Sequence, residues 1–311
     1  MSGISGFLGI DIGGTKVAVR VEGEGAEPYS AGFRWTPGAD VGADMSALAD
    51  CLTGVRRNWP GPLRAAGVAM PATLDAQGRV TAWPNRPAWA GLALAAQLRG
   101  MLPGTGVAVA DDGDLAALAE ARAANLADVL YVGVGTGIGG GSVLAGELCP
   151  GPARGSFELG HVVVDRAGAR CDCGRRGCVQ SRASGPAILR RAAELRDAPV
   201  TYAELGDAWQ RRLSWAVVAV DEACAVLATA IVSAAELLHP EVVIVGGGFP
   251  SGLPGFTSLL YRHAMRLSRP GHPAPPHQDA RLGPLSSLDG ALVLAHATAT
   301  DAKAPEAAVR G

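Results

Sequence analysis

The sequence predicts an α/β protein of two lobes, and three observations carry that expectation. The 311-residue length, at roughly 150 residues per domain, accommodates two cores. A strand, glycine turn, strand unit recurs about 120 residues further on. A third glycine turn closes a continuous apolar run of the kind buried in a parallel sheet. The 43 glycines are not spread as linker but cluster at strand ends, in Gly13-Gly14, Gly135 to Gly141 and Gly246 to Gly248. That placement points to backbone brought close to a ligand.

Phe7 to Ile10 is a short apolar strand, Asp11 to Thr15 a turn, and Lys16 to Val21 alternates with period two. A dinucleotide fingerprint or a Walker loop would open a helix directly after its glycines, so the first cluster is instead the tip of a β-hairpin. The second unit repeats it: Val129 to Val134, then Gly135 to Gly141 with Thr136, then Ser142 to Ala145. Two like units predict a duplicated fold with the hairpin tips facing each other across a cleft. Glycine lets backbone N–H groups converge on the oxygens of a phosphorylated ligand, and the Thr15 and Thr136 hydroxyls add donors. Val107 to Ala110 reads as a strand running into Asp111, Asp112 and Asp114, ahead of a helix from Leu115 to Asn125. Taken alone, Asp114 would cap that helix and Asp111-Asp112 would form a solvated turn. Asp221 to Leu238 reads as a buried helix leading into the strand Glu241 to Val245 and the Gly246 to Gly248 turn, an arrangement suited to be an adenine or ribose wall. Pro270 to His277 reads as a loop and Lys303 to Gly311 as a frayed tail.

Composition excludes several function classes. With 27 Lys+Arg against 29 Asp+Glu the net charge is −2, so no basic field exists to hold a nucleic acid. The longest weakly polar stretch, Ala223 to Ala235, is shorter than the ~20 residues a bilayer needs and is closed by Glu222 and Glu236, so no membrane partner is expected. The N-terminus carries no basic region and no long apolar segment, which predicts a cytoplasmic protein. In a reducing compartment the six cysteines indicate metal or chemistry in place of disulfides. Cys171, Cys173 and Cys178, preceded by His161, supply four ligands fitting a closed tetrahedral zinc site, whereas Cys51, Cys149 and Cys224 read as ordinary thiols.

Gly9 to Lys16, Gly135 to Gly141, Glu158-Leu159-Gly160-His161 and the Cys171 to Cys178 cluster together resemble the ROK family of sugar kinases and repressors, in the family's motif order, from about residue 7 to about residue 300. The resemblance implies the actin-like ATPase (ribonuclease H-like) fold. Its first lobe would span residues 1–112, completed by a last helix over 289–300, and its second lobe residues 113–288. It also implies ATP, Mg²⁺, a structural Zn²⁺ and phosphoryl transfer to a hexose hydroxyl. On the matching positions, Asp112 is the catalytic base and Asp11 organises Mg²⁺. Gly13, Gly14, Thr15, Gly135, Thr136, Gly137, Gly246, Gly247 and Gly248 hold the nucleotide. Asn85, Asp111, Asp112, Glu158, His161 and Gln180 hold the sugar, with one His161 ring nitrogen on zinc and the other near the sugar. A homodimer is compatible with the family.

Two positions depart from the glucokinase-like pattern: Asp111 replaces the usual Asn before the catalytic Asp, and Gln180 replaces the usual Glu after the last zinc cysteine. A carboxylate meets a sugar ammonium better than an amide does, because a charge-assisted pair is roughly twice as strong as a neutral hydrogen bond. Asp111 therefore points to an amino-hexose; the resemblance implies transfer to the 6-hydroxyl of a glucose-type sugar, with kanosamine, which ROK members phosphorylate, the favoured amino-hexose and glucose the alternative. A non-catalytic sugar-binding regulator is the reading from another class. The DNA-binding helix-turn-helix of the family's repressors finds no room in the six or so residues before the first strand.

Overall fold

The computed structural model describes residues 4–151 and 154–301; the tail expected over Lys303 to Gly311 lies outside the described residues. The chain divides into two compact units. The first runs through Ala119, takes in Pro150–Ser156 and resumes at Leu285, and the second holds Glu120–Cys149 and Phe157–Pro284.

In the first unit, strands β1 (Gly6–Ile12), β2 (Lys16–Glu22) and β3 (Tyr29–Arg34) form an antiparallel meander. Helix α1 (Val41–Asn58) follows, its N-terminus capped by Asp40 Oδ1 accepting from the Ala43 amide. Strand β4 (Leu63–Ala69) then pairs parallel with β1. A small ribbon of β5 (Thr73–Leu74) and β6 (Val80–Ala82) precedes helix α2 (Leu94–Met101) and strand β7 (Gly106–Ala110), which pairs parallel with β4. The sheet order is β3-β2-β1-β4-β7. Helix α3 (Asp112–Ala124) carries the chain into the second unit.

There the pattern repeats. Strands β8 (Val129–Val134), β9 (Ile138–Leu144) and β10 (Glu147–Cys149) form a second antiparallel meander. Helices α4 (Gln180–Ala183), α5 (Gly185–Arg196), α6 (Tyr202–Gln210) and α7 (Ser214–Leu238) lead to β11 (Val242–Gly246), parallel to β8. Helix α8 (Phe256–Leu267) and β12 (His277–Asp279) complete the unit, and α9 (Ser286–Asp301) closes the described chain in the first unit. The second sheet order, β10-β9-β8-β11-β12, matches the first strand for strand in sense. The recurrence visible in the glycine turns is thus a recurrence of whole sheets.

Several boundaries differ from the sequence expectation. The second glycine run is not one turn: β9 begins at Ile138, so Gly139 to Gly141 lie within a strand. A Cβ at Gly140 would sit 2.8 Å from Leu159 Cβ, so that glycine admits a neighbouring side chain and does not shape the turn. The long helix starts at Ser214 and not near Asp221. His277, placed at the end of a loop, opens β12, where it pairs with Val243. With 25 residues, including an 18-residue stretch of mean hydropathy 1.9, α7 is long and apolar enough to cross a bilayer. It is nevertheless the core helix of the second unit, with Ala216, Ala219, Ala223, Leu227, Ala228 and Ile231 buried in the main cluster.

Helix α9 lies on β1 and β4 at a distance only glycine permits. A Cβ on Gly67 would fall 1.9 Å from the carbonyl oxygen of Ala291, and one on Gly9 would fall 2.8 Å from Leu292 Cγ. Gly290 of α9 in turn faces the Leu115 carbonyl of α3. These glycines bring backbone to backbone inside the core. Gly67→Ala is expected to lower unfolding stability by about 1–3 kcal/mol, the usual cost of overpacking, as read from the midpoint of urea denaturation; an unchanged midpoint would mean that α9 shifts without cost.

Candidate active site

Parallel sheets present ligands at the carboxyl ends of their strands, and there the first sheet collects three carboxylates. Asp11 is the penultimate residue of β1, and Ser287 Oγ, near the start of α9, donates to its Oδ2 at 3.1 Å. Asp112 opens α3. Asp111 Oδ1 accepts from the amides of Gly113 at 2.9 Å and Asp114 at 3.4 Å, which makes Asp111 the N-cap. The alternative in which Asp114 alone caps the helix and Asp111-Asp112 form a solvated turn does not hold. A side chain reaches the orphan amides of a helix from just before the first turn, and Asp114 lies inside that turn, only 3% exposed. Burial, reinforced by the Asp111 and Asp11 carboxylates, pushes Asp112 up to about 7. Burial also raises Asp11, against the opposing pull of the Ser287 hydroxyl and the Lys16 ammonium.

Beside these acids, the tip joining β1 to β2 is closed by the Gly13 amide on the Lys16 carbonyl at 3.0 Å, with Thr15 exposed. Asn85 packs on the tip: a Cβ on Gly14 would lie 3.0 Å from both Asn85 Cβ and Nδ2. Trp35 Nε1 donates to the Gly13 carbonyl at 2.8 Å, and Arg86 Nε lies 3.4 Å from that of Gly14. Arg86 also pairs with buried Asp44, which accepts from Trp89 Nε1 at 2.9 Å.

In the second unit, the β8–β9 tip is closed by the Gly135 amide on the Gly137 carbonyl at 2.9 Å, with Thr136 exposed. Gln180, expected beside the sugar, has its amide oxygen on this tip, accepting from the Ile138 amide at 3.1 Å. The third glycine turn docks on the same hairpin. Gly247 has φ 89°, and a Cβ there would sit 2.3 Å from the Val134 carbonyl, which also accepts from the Phe249 amide at 3.0 Å. Gly135, Thr136, Gly185, Tyr202, Gly248 and Phe249 line a mainly apolar cavity of about 340 Å³. A flat heteroaromatic base fits such a slot, with the glycine tip at its edge.

His161, Cys171, Cys173 and Cys178 come together with ligand atoms all within 4.8 Å of one another. His161 Nδ1 lies 3.7 Å from Cys171 Sγ, and Cys173 Sγ lies 3.6 Å from Cys178 Sγ. The other ring nitrogen, Nε2, is 3.9 Å from Glu158 Oε2. Burial, with the two neighbouring thiols, pushes Cys178 up to about 12. One imidazole and three thiols whose ligand atoms converge in this way are a donor set that fits zinc. The same loop reaches the β8–β9 tip: Gln180, which accepts from the Ile138 amide, follows Cys178 by two positions.

Sequence reasoning missed Ser287, Asp44, Trp35 and the role of Arg86. Arg86 stands inside the Trp83 to Pro87 segment already singled out, but no local pattern connects it to Asp44 or Gly14.

A model of the ROK family matches residues 7–298. The chain is 49% identical over 288 residues to the kanosamine kinase of Amycolatopsis mediterranei, covering 93% of this chain and 95% of that protein. Among solved structures, the ROK hexokinase of Thermus thermophilus superposes with a TM-score of 0.83 at 31% identity, covering 95% of this chain and 99% of that one. The ROK family glucokinase of Streptomyces griseus, solved in complex with glucose and AMPPNP, gives a TM-score of 0.77 at 25% identity over 94% of this chain and 99% of that one.

Cys178→Ser is expected to reduce bound zinc, measured by elemental analysis of purified protein, from about one equivalent to near zero. Full zinc retention would remove Cys178 from the ligand set.

Proposed function

The chain belongs to the ROK family and is an ATP-dependent sugar kinase, and from that premise we propose that it transfers the γ-phosphoryl group to the 6-hydroxyl of an amino-hexose, with kanosamine the favoured acceptor. The observation carrying the transfer chemistry is the convergence of Asp11, Asp111 and Asp112 at the carboxyl ends of β1 and β7, where burial and the neighbouring acids raise Asp112. Asp112 is the base: it takes the proton of the acceptor hydroxyl as the sugar oxygen bonds to the γ-phosphorus, while the bond from that phosphorus to the β–γ bridging oxygen breaks and ADP leaves. A group near 7 is poised between holding and releasing a proton at neutral pH. Asp11, with a hard carboxylate oxygen in an acidic surrounding, fits Mg²⁺. Bound with the nucleotide, that ion neutralises charge on the phosphate oxygens.

Gly13, Gly14 and Thr15 in the first unit and Gly135, Thr136 and Gly137 in the second offer amides and hydroxyls to phosphate, and the cavity beside Gly248 takes the adenosine. Acceptor recognition is assigned to Asn85 and Asp111 in the first unit and to Glu158 and His161 in the second. Gln180 supports the second tip through its amide oxygen, leaving its amide nitrogen for the ligand side.

The amino-sugar preference rests on Asp111. At this N-cap Asp111 Oδ1 accepts from the helix amides, a role the oxygen of an Asn fills equally well, so the change from Asn to Asp leaves the cap intact and replaces an NH₂ donor with negative charge. The cap thus holds the geometry constant while the residue changes what is recognised, from an acceptor to a donor such as an ammonium. The 49% identity to a kanosamine kinase over most of both chains supports the same acceptor.

Three outcomes follow. In a coupled ADP-release assay over glucose, glucosamine and kanosamine, the amino-hexose has the highest kcat/KM, and phosphorus NMR of the product locates the ester at the 6-position; faster turnover of glucose would overturn the acceptor. Asp111→Asn retains the helix cap and lowers kcat/KM for the amino sugar selectively, by about 10-fold or more. Because the folded-state carboxyl of Asp112 sits near 7, above its ordinary 3.8, its ionisation costs stability, a cost absent in acid below 3.8, growing as pH rises from there and complete above about 7. Asp112→Asn therefore melts higher relative to wild type at pH 8 than at pH 5, while kcat falls by about 10²–10⁴-fold, and the wild-type kcat/KM rises along an acid limb near pH 7.

A further inference from the structure

Arg86 touches parts of the first unit that belong to different ligands. We infer that Arg86 is a positioning residue that couples the acceptor loop to the phosphate hairpin, so that amino-hexose and nucleotide bind cooperatively through its guanidinium. The inference rests on the kinase reading above and adds to it a device within one unit.

The geometry begins at the peptide plane. In a trans peptide the carbonyl of one residue and the N–H of the next point in opposite directions. Trp35 Nε1, holding the Gly13 carbonyl at 2.8 Å, thereby aims the Gly14 amide away from the indole. Arg86 Nε, 3.4 Å from the Gly14 carbonyl, aims the Thr15 amide in the same manner. Amides that already point outward bind phosphate without first paying for reorientation.

The same guanidinium is itself fixed. It lies over the Trp35 ring at 4.5 Å. It pairs with Asp44, whose side chain is 3% exposed and whose other partner is the Trp89 indole. Trp89 packs edge-on against both Trp35 and Trp83, with centroids 5.6 and 4.8 Å apart. The backbone preceding Arg86 is Asn85, the proposed sugar contact, and it is Asn85 that packs on Gly14. A sugar that orders the Asn85 segment therefore orders Arg86, and Arg86 orders the Thr15 amide. By reciprocity, phosphate on the tip tightens the sugar site by the same factor.

Lysine cannot reproduce this. It keeps the charge opposite Asp44 but lacks the planar fork that stacks on indole and bonds in two directions at once. The test is a set of calorimetric titrations of the full chain with AMPPNP and Mg²⁺, in the presence and absence of saturating kanosamine, and of kanosamine alone. Wild type is expected to bind AMPPNP about 5-fold or more tightly with sugar present. Arg86→Lys is expected to bring that ratio close to 1 while melting near wild type. A general loss of structure would weaken both ligands without changing the ratio. Should the Arg86 variants not fold, Trp35→Phe keeps an aromatic face under the guanidinium but removes the donor to Gly13; it is expected to weaken AMPPNP binding several-fold and leave the affinity for kanosamine alone unchanged. A wild-type ratio of 1, or a wild-type ratio retained in folded Arg86→Lys, overturns the coupling. A wild type that binds AMPPNP but none of the tested hexoses overturns the kinase reading instead.

Discussion

Like charges brought together in a partly desolvated place repel, and the first sheet brings together three. Asp11 lies one residue before the end of β1 and Asp111-Asp112 follow β7, the two strands flanking β4 in parallel. Much of the neighbouring structure answers that repulsion. Asp111 gives one oxygen to helix amides, whose dipole favours a negative charge. Asp11 receives the Ser287 hydroxyl and the field of Lys16. Asp112 is left to absorb the remainder as a raised affinity for a proton. A residue that is reluctant to be an anion is a stronger base once it is one, so the crowding that costs stability also suits Asp112 to the base role proposed for it.

Holding those groups in place requires that α9 reach β1, since Ser287 lies at its start. That approach is made by glycine in the middle of strands, where glycine is otherwise unfavourable. Gly67 lies against the carbonyl of Ala291 and Gly9 against Leu292. Part of the glycine excess thus serves the packing of a helix on a sheet and not the ligand directly. The glycine tips are supported in a related way, each from outside its own hairpin: the first by Trp35 and Arg86, the second by Gln180 and the Gly185 amide.

The zinc cluster and the second tip are linked through the short span from Cys178 to Gln180. A single folded-in loop has its thiols and imidazole drawn together at one end and its amide oxygen on Ile138 at the other. A metal held by these four residues would fix where Gln180 and Glu158 stand without any role in bond making.

By itself the sequence determined what depends on neighbours along the chain. Period-two alternation on both sides of a glycine turn marks a hairpin, a Cys-x-Cys-x₄-Cys spacing marks a metal loop, and the pairing of two like hairpins marks a duplication; the two sheets of identical order follow that pattern. Tertiary structure decided which atoms those motifs spend on each other. The glycines after Ile138 read as turn and are strand, because a side-chain-free face admits Leu159 there. Among the three acids ahead of α3, it is Asp111 that takes the helix amides, while Asp114 is buried. Ser287 meets Asp11 across 276 residues and Arg86 meets Asp44 across 42. Local propensity carries no term for such encounters: they exist only once parallel strands set their ends side by side and a helix from the far end of the chain lies down across them.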